Sequence, residues 1–436
     1  MNKFHVVIGG GIAGICTALF LSKRQKSVIL VERSSSLGGL LNTSFPFNNE
    51  FHFDYGTHFL AKTGDKSLDQ LLFDGILMDE FNYLKVGSYY ENLYEGNGFV
   101  TDFHLPKRME YFSQIRTSSN FKKTKNLRDQ LVNSFGEGYT SNLLDPILEK
   151  FYGFKSKDLK IDSHRLFALH RIITSNVKNI EKLKLSNKVY DDILAYNSYT
   201  QGISASKSIY PKKGGVGSWI SFLNKKLDEN KVKIMLNSKV NKIDFKGSQI
   251  KSISVDNQNY GVEKLYWTAP SAFIYPFFNL NQKKSLPRLR SYVAHFVIDK
   301  QYLTDLYYYQ CFDPDFKSFR ITLYDNFSKP CNEKYRRLTV EVLLKEKDII
   351  DENFNKKIFE EIKQMKAIPK NSNLLFSSNL VIPNSFPVLK NTVKLDDTEE
   401  KKLTDIFENL IFFGKAYSKK WFTNEIIKEI YDHING

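Results

Sequence analysis

The sequence predicts an α/β fold in which a discontinuous Rossmann-like lobe is interleaved with an α+β lobe, and three observations carry that prediction. Near the amino terminus an apolar run, Phe4-His5-Val6-Val7-Ile8, breaks into Gly9-Gly10-Gly11-Ile12-Ala13-Gly14; a helical pattern follows, and a second apolar run at 27–31 closes on Glu32. A related unit opens at Tyr210-Pro211-Lys212-Lys213-Gly214-Gly215 and runs to Trp267-Thr268-Ala269-Pro270. The chain then closes on Asn409-Leu410-Ile411-Phe412-Phe413-Gly414-Lys415, followed by a helical pattern.

In the first unit each residue type has a mechanical reason. Gly9 allows the sharp turn out of the strand, Gly11 lets the backbone approach a pyrophosphate, and Gly14 lets helix and strand pack closely. The helix start at Ile12 and Ala13 offers free N–H groups and a partial positive charge to phosphates. Glu32 stands where a carboxylate accepts hydrogen bonds from an adenosine ribose and repels a 2′-phosphate, which disfavours an NADP-type ligand.

Downstream lie Arg33-Ser34-Ser35-Ser36-Leu37-Gly38-Gly39-Leu40 and Phe53-Asp54-Tyr55-Gly56-Thr57-His58. With these residues the sequence resembles the FAD-dependent family of amine oxidases, protoporphyrinogen oxidases, phytoene desaturases and UDP-galactopyranose mutases. The resemblance implies that FAD is the cofactor, that Arg33 is among the residues binding it, that the Gly38-Gly39 pair passes near its diphosphate, and that Gly56, Thr57 and His58 lie near the isoalloxazine. Leu40 departs from the pattern, because relatives often place a basic or polar residue there. His58 is the candidate catalytic residue: a base with an ordinary pKa suited to neutral pH, or equally a packed, hydrogen-bonded histidine. The stretch 145–153 is similar to one in the mutase-like branch and implies packing only.

The second unit reads as a helix at 218–227, a strand at 231–236, then 238–243, 250–255 and 262–265. The resemblance implies that Val240 lies beside the adenine. In the third unit it implies a strand ending at Gly414, then a loop and a helix over 423–433 aimed at the flavin pyrimidine through Trp421, Phe422 and Thr423, with Thr423 or Asn424 as the cap. Lys415 stands where relatives carry Asp or Arg, and neutralises charge without a bidentate fork.

The expected division is a cofactor lobe of 1–66, 206–270 and 401–436 and a substrate lobe of 67–205 and 271–400. In the substrate lobe, helices are expected at 68–73, 107–114, 126–135, 142–151 and 353–365, and strands at 292–298, 318–323 and 337–344, the last with period two. The stretch 381–387 reads as a proline-punctuated loop, with Phe386 and Pro387 either lining the pocket or on the surface. His164 and His170 are spaced for structural or surface roles.

At 436 residues the chain exceeds what a single core fills. Hydrophobic residues at 42% and charged ones at 25% describe a globular protein. The most apolar stretch, 265–278, is cut by Pro270 and Pro276, well short of the roughly 18 apolar residues of a membrane span. No secretory segment precedes the first strand, so the expected location is the cytoplasm. Cys16, Cys311 and Cys331 are too scattered for a disulfide framework or a zinc site, and Cys16 is expected as a buried filler. The net charge of +15 occurs in short lysine groups without a nucleic-acid motif, which favours an anionic small-molecule substrate over nucleic acid, with peripheral contact to acidic lipid as the lesser reading. A single glycine fingerprint leaves no second, NAD-binding lobe. The implied activity is an FAD-dependent oxidoreductase oxidising or desaturating a small metabolite; the alternative is a redox-neutral flavoenzyme of the galactopyranose-mutase type acting on a nucleotide sugar. Oligomeric state stays open.

Overall fold

The continuous apolar runs of the first and third units become parallel strands buried on both faces, the environment that selects such runs. Lys233–Met235, Val28–Val31, Lys3–Ile8, Gln258–Trp267 and Leu410–Phe412 form the parallel part of a seven-stranded sheet. The antiparallel strands Val240–Lys246 and Gln249–Val255 extend it from the first half of Gln258–Trp267. Three separated stretches of chain therefore share one sheet. The computed structural model describes residues 2–73, 80–84, 89–92, 124–167, 169, 177–194, 208–280, 288–391, 399–415, 417, 420 and 422–436. The expected helix at 107–114, His170 and Trp421 lie outside the described residues.

One face of this sheet carries the helices Ile12–Lys23, Gly215–Glu229 and Thr423–Asn435, whose Ile15, Leu19, Trp219, Leu223, Ile426 and Ile430 share a core. Cys16 is fully enclosed there, the filler its position suggests. The opposite face packs Val6, Ile8, Ile29 and Leu265 against Leu403 and Phe407 at the Glu399–Ile406 helix.

A second, six-stranded sheet runs in the order Leu374–Pro387, Arg288–Ile298, Arg336–Leu344, Ser318–Leu323, Tyr308–Cys311, Tyr89–Asn92. Period two sorts the Arg336–Leu344 strand: Leu338, Val340 and Val342 join Ile358 and Ile362 of the Phe354–Gln364 helix in one core, so Arg337, Thr339 and Glu341 point to the other face. The neighbouring strand places Arg320 opposite Glu341 and Thr322 opposite Thr339 on that same face. Helices Leu127–Phe135 and Asp145–Tyr152 build a third core with Phe319 and Phe167. His164 is buried, in the 3-10 turn Ser163–Phe167.

The stretch 381–387 corrects the loop expected from its prolines: it belongs to the strand Leu374–Pro387. That strand is at the sheet edge, where a missing N–H costs little, and its register shifts between the Ile382–Ser291 and Phe386–Leu289 pairs, a bulge that takes up Pro383. The 142–151 helix opens instead as a π turn, Thr140–Leu144, before the α-helix Asp145–Tyr152.

Candidate active site

Three glycine turns meet at the amino-terminal end of the Ile12–Lys23 helix. Gly9 has a φ of 106°, and a β-carbon on Gly14 would overlap the Gly9 carbonyl oxygen, so both positions require glycine. The Gly38 N–H donates to the Gly10 carbonyl at 2.8 Å, and Gly38 bridges Gly11. A β-carbon on Gly414 would stand 3.5 Å from that of Ala13, in ordinary contact. At Gly11, by contrast, a β-carbon would have no atom within 4 Å. Gly11 is the N-cap residue and has no side chain to close the helix, so the first helical N–H groups at Ile12 and Ala13 face this opening.

The Glu32 carboxylate accepts from the Gly10 N–H at 2.6 Å and the Ser34 N–H at 2.7 Å, which fixes the turn after the second strand. The Ser238 N–H donates to the Glu32 carbonyl at 3.0 Å, carrying the chain into the strand that starts at Val240. Val240 is half-buried beside the Ile243 and Ile253 core. Arg33 lies with its guanidinium 5.1 Å from the Phe273 ring, and Leu40 is exposed beside Gly39.

Gly56, Thr57 and His58 follow a hairpin, Thr43–Phe47 with Phe51–Asp54, and face the polar side of the second sheet. The Thr57 N–H donates to Glu341 Oε1 at 2.9 Å, its hydroxyl reaches the same oxygen at 3.1 Å, and it also meets the Thr322 hydroxyl. A β-carbon on Gly56, whose φ is 145°, would stand 3.0 Å from Glu341 Oε2 and 3.4 Å from His58 Nε2. His58 departs from an ordinary base: burial, only partly offset by Glu341, holds its pKa down to about 4. It is therefore a neutral imidazole at pH 7, and its enclosed Nε2 has no hydrogen-bond partner. Arg320 stands beside it, Nη1 3.6 Å from Glu341 Oε1, with an enclosed Nε that is likewise without a partner. Lys415 lies with its ammonium 5.7 Å from the Phe386 ring; the residue keeps solvent exposure, while partial burial and then the Arg320 charge lower its pKa. Phe386 is partly buried in the third core, 5.1 Å from Phe167.

The closing helix begins at Thr423, but Phe422 occupies the cap position expected of Thr423 or Asn424. The Phe422 N–H is satisfied by Glu425 at 3.2 Å, and the Asn424 amide instead reaches the Lys62 carbonyl at 3.4 Å. That bond places the helix start just beyond the strand following His58.

Sequence reading quoted Asp54 within its motif without giving it a role, and did not find Arg320 or Glu341. Asp54 is fully buried and accepts from Tyr210 Oη at 2.5 Å, Thr43 Oγ1 at 2.6 Å and the Val216 N–H at 3.1 Å. Burial outweighs those bonds and raises its pKa to about 6. The available signal was the period-two strand itself, whose polar positions Arg337, Thr339 and Glu341 mark a face turned away from its own apolar core. Among the described residues no group of three or more His, Cys, Asp or Glu is placed to hold a metal ion, and no helix is long and apolar enough to cross a membrane.

Residues 7–73 match the NAD(P)-binding Rossmann-like domain family. The chain is 30% identical over 98 residues to the inactive all-trans-retinol 13,14-reductase of Danio rerio, an alignment covering 22% of this chain and 16% of that protein. It is 25% identical over 276 residues to 4,4'-diapolycopene oxygenase of Methylomonas sp, covering 59% of this chain and 53% of that protein. These alignments thus span about half or less of each relative's length. Among solved structures, reduced UDP-galactopyranose mutase superposes with a TM-score of 0.76 at 16% identity, over 100% of this chain and 93% of that one. Wild-type putrescine oxidase bound to putrescine superposes with a TM-score of 0.60 at 12% identity, over 100% and 98%. The fold expected from the sequence is borne out: residues 7–73 match the Rossmann-like domain model, and the whole chain superposes on both structures.

Proposed function

We propose that this protein is an FAD-dependent oxidoreductase that oxidises or desaturates a small anionic metabolite. The observation that carries the reading is the opening at Gly11, where an uncapped helix start faces space that no protein atom within 4 Å of a β-carbon would fill, walled by Gly38-Gly39 and Gly414. A dinucleotide diphosphate fits there without a charged partner, because helical N–H groups and the helix dipole neutralise it. Ile12, Ala13, Gly38, Gly39 and Gly414 would hold the diphosphate, Glu32 the ribose, and Val240 the adenine edge, while Lys415 turns to the other end of the site, toward Phe386, Arg320 and His58. Gly56, Thr57 and His58 would line the ring, with the start of the Thr423–Asn435 helix at its pyrimidine side. When bound, the flavin supplies hydride or electron transfer. The chain's own contribution is to place the ring between Gly56 and the closing helix. Neutral His58 and the Glu341-anchored Thr57 keep that wall in one arrangement. The net charge of +15 supports an anionic substrate.

The test is reconstitution of the purified chain with FAD, followed by absorption spectroscopy and steady-state assay against anionic metabolites. Bound oxidised flavin, and acceptor consumed in proportion to product, is the expected result. Failure to take FAD sinks the cofactor assignment. Turnover that needs pre-reduced flavin and consumes no acceptor replaces oxidation with the redox-neutral chemistry.

A further inference from the structure

We propose that Arg320, Lys415 and the Nε2 edge of His58 form a seat for an oxyanion, the carboxylate or phosphoryl group by which this site holds its substrate. That the anion is a substrate rests on the flavoenzyme reading above; that an anion binds does not.

Arg320 has hydrogen-bonding capacity that the fold leaves unused. Glu341 is the only carboxylate facing Arg320 among the contacts described, and its Oε1 already accepts from the Thr57 N–H at 2.9 Å and the Thr57 hydroxyl at 3.1 Å. Arg320 Nη1 stays 3.6 Å from that oxygen, an ion pair without a hydrogen bond, and its Nε is enclosed with no partner. A guanidinium is a fork of five donors matched to the paired oxygens of a carboxylate or phosphate, so this one stands largely unspent. An enclosed donor without a partner is destabilising, and a suitable acceptor would recover that cost.

Charge points the same way. Two cations, Arg320 and Lys415, interact with His58, against the single carboxylate of Glu341. Repulsion between Arg320 and Lys415 is left over, and a bound anion would relieve it. Aromatic rings flank both cations: Phe319 lies 4.7 Å and Tyr308 5.9 Å from the Arg320 guanidinium, and Phe386 lies 5.7 Å from the Lys415 ammonium. Around the largely covered Arg320 such walls thin the surrounding water, so its charge acts over a lower effective dielectric. The unpartnered Nε2 of His58 becomes a third donor when the ring takes up a proton, because in the neutral ring the hydrogen bond to the Tyr55 backbone keeps the N–H on Nδ1. Gly56 packs closely over Glu341 Oε2 and His58 Nε2, which ties the carboxylate and the imidazole edge into one cluster.

The experiment titrates the purified chain at pH 7 with inorganic phosphate and, separately, with acetate, following heat of binding and the proton resonances of His58 (assigned with His58→Asn). One of the two anions is expected to bind at a single site, and Arg320→Gln to weaken it at least tenfold. Arg320→Lys keeps charge without the fork and should fall between them, which separates a lost seat from a lost fold. Glu341→Gln removes the competing carboxylate and should tighten binding several-fold. Bound anion should also move the His58 titration upward. Preference for phosphate assigns a phosphoryl group, preference for acetate a carboxylate. Equal affinity in wild type and Arg320→Gln, or no response to either anion, overturns the seat. Arg320-dependent binding in a chain that refuses FAD keeps the seat and sinks the flavin reading; FAD uptake without Arg320-dependent binding does the reverse.

Discussion

The carbonyl oxygen of Gly9 occupies the space into which a β-carbon on Gly14 would project, so the first strand and the first helix touch at their backbones. Neither backbone can yield, and Gly14→Ala is expected to cost about 1–3 kcal/mol through overpacking. Gly11 is the contrast. Its φ of −70° suits any residue and nothing lies within 4 Å of its β-carbon direction. Gly11→Val should therefore melt within a few degrees of wild type yet retain no flavin. Thermal melts and bound-flavin absorbance on the two variants check this pair, and full flavin occupancy in Gly11→Val would remove the glycine opening from the cofactor assignment.

Glu32→Gln tests the carboxylate that links the glycine turn to the second strand. Both of its oxygens accept backbone N–H groups, from Gly10 at 2.6 Å and Ser34 at 2.7 Å. Glutamine turns one acceptor into a donor facing an N–H, at about 1–3 kcal/mol. The expected result is at least tenfold weaker FAD binding with a modest fall in melting temperature. Fluorescence titration of FAD measures it; unchanged affinity would mean that the carboxylate only shapes the turn.

The parts of this molecule written in local sequence were the ones that could be read from it. Strand, glycine turn, helix, strand and acid at 4–32 are contiguous, so propensity and turn chemistry decide them together. The Gly38-Gly39 pair lies close enough in sequence to be read with them. Asp54, Arg320 and Glu341 are different, because the third lies far from the first along the chain and nothing local to any of them names its partners. Only the cross-strand register that puts Arg320 opposite Glu341 brings that pair beside Thr57. The loop expected at 381–387 failed for a related reason: Pro383 breaks a central strand but not a bulged edge strand, and edge position is a property of the whole sheet.

Stability against pH should show two opposed contributions from this region. His58 titrates near 6.5 when free and near 4 in the fold, so the unfolded chain takes up the proton first. Its contribution is complete above about pH 6.5 and is lost as pH falls toward 4. Burial lowers His52 and His295 to about 3 and gives them the same sign. Asp54 runs the other way: raised from 3.8 to about 6, its contribution is full below about pH 3.8 and is lost as pH rises through 6. In urea unfolding between pH 7 and pH 5, His58→Asn should lose less stability on acidification than wild type, and Asp54→Asn should lose more. Parallel curves for His58→Asn and wild type would refute the burial of the imidazole.

Arg337 and Asp325 form a fully enclosed ion pair with Nε 3.2 Å from Oδ1, and the guanidinium also donates to Ser328 Oγ at 2.7 Å and to the His52 carbonyl. Removing one member leaves an uncompensated buried charge, so Arg337→Met should cost about 3–5 kcal/mol, whereas Arg337→Met with Asp325→Leu should recover much of it. Chemical denaturation of the single and double variants decides this. A double variant no more stable than the single would show that the hydrogen bonds to Ser328 and His52 matter more than the charge pairing.

Gly56→Ala is the most direct probe of the wall between the two sheets. The φ of 145° is one that side chains rarely adopt, and the new methyl group would stand 3.0 Å from Glu341 Oε2 and 3.4 Å from His58 Nε2. Strain of this kind costs on the order of 1–3 kcal/mol, and relief requires the 56–58 turn to move away from Glu341. The nucleotide end of the site, built on Gly9 to Gly14 and Glu32, has no contact with that methyl group among those described. FAD should accordingly still bind, weakened by less than tenfold, while its visible circular dichroism changes and turnover falls at least a hundredfold. Should spectrum and turnover both match wild type, Gly56 does not face the ring, and the flavin would have to lie on another wall of the site.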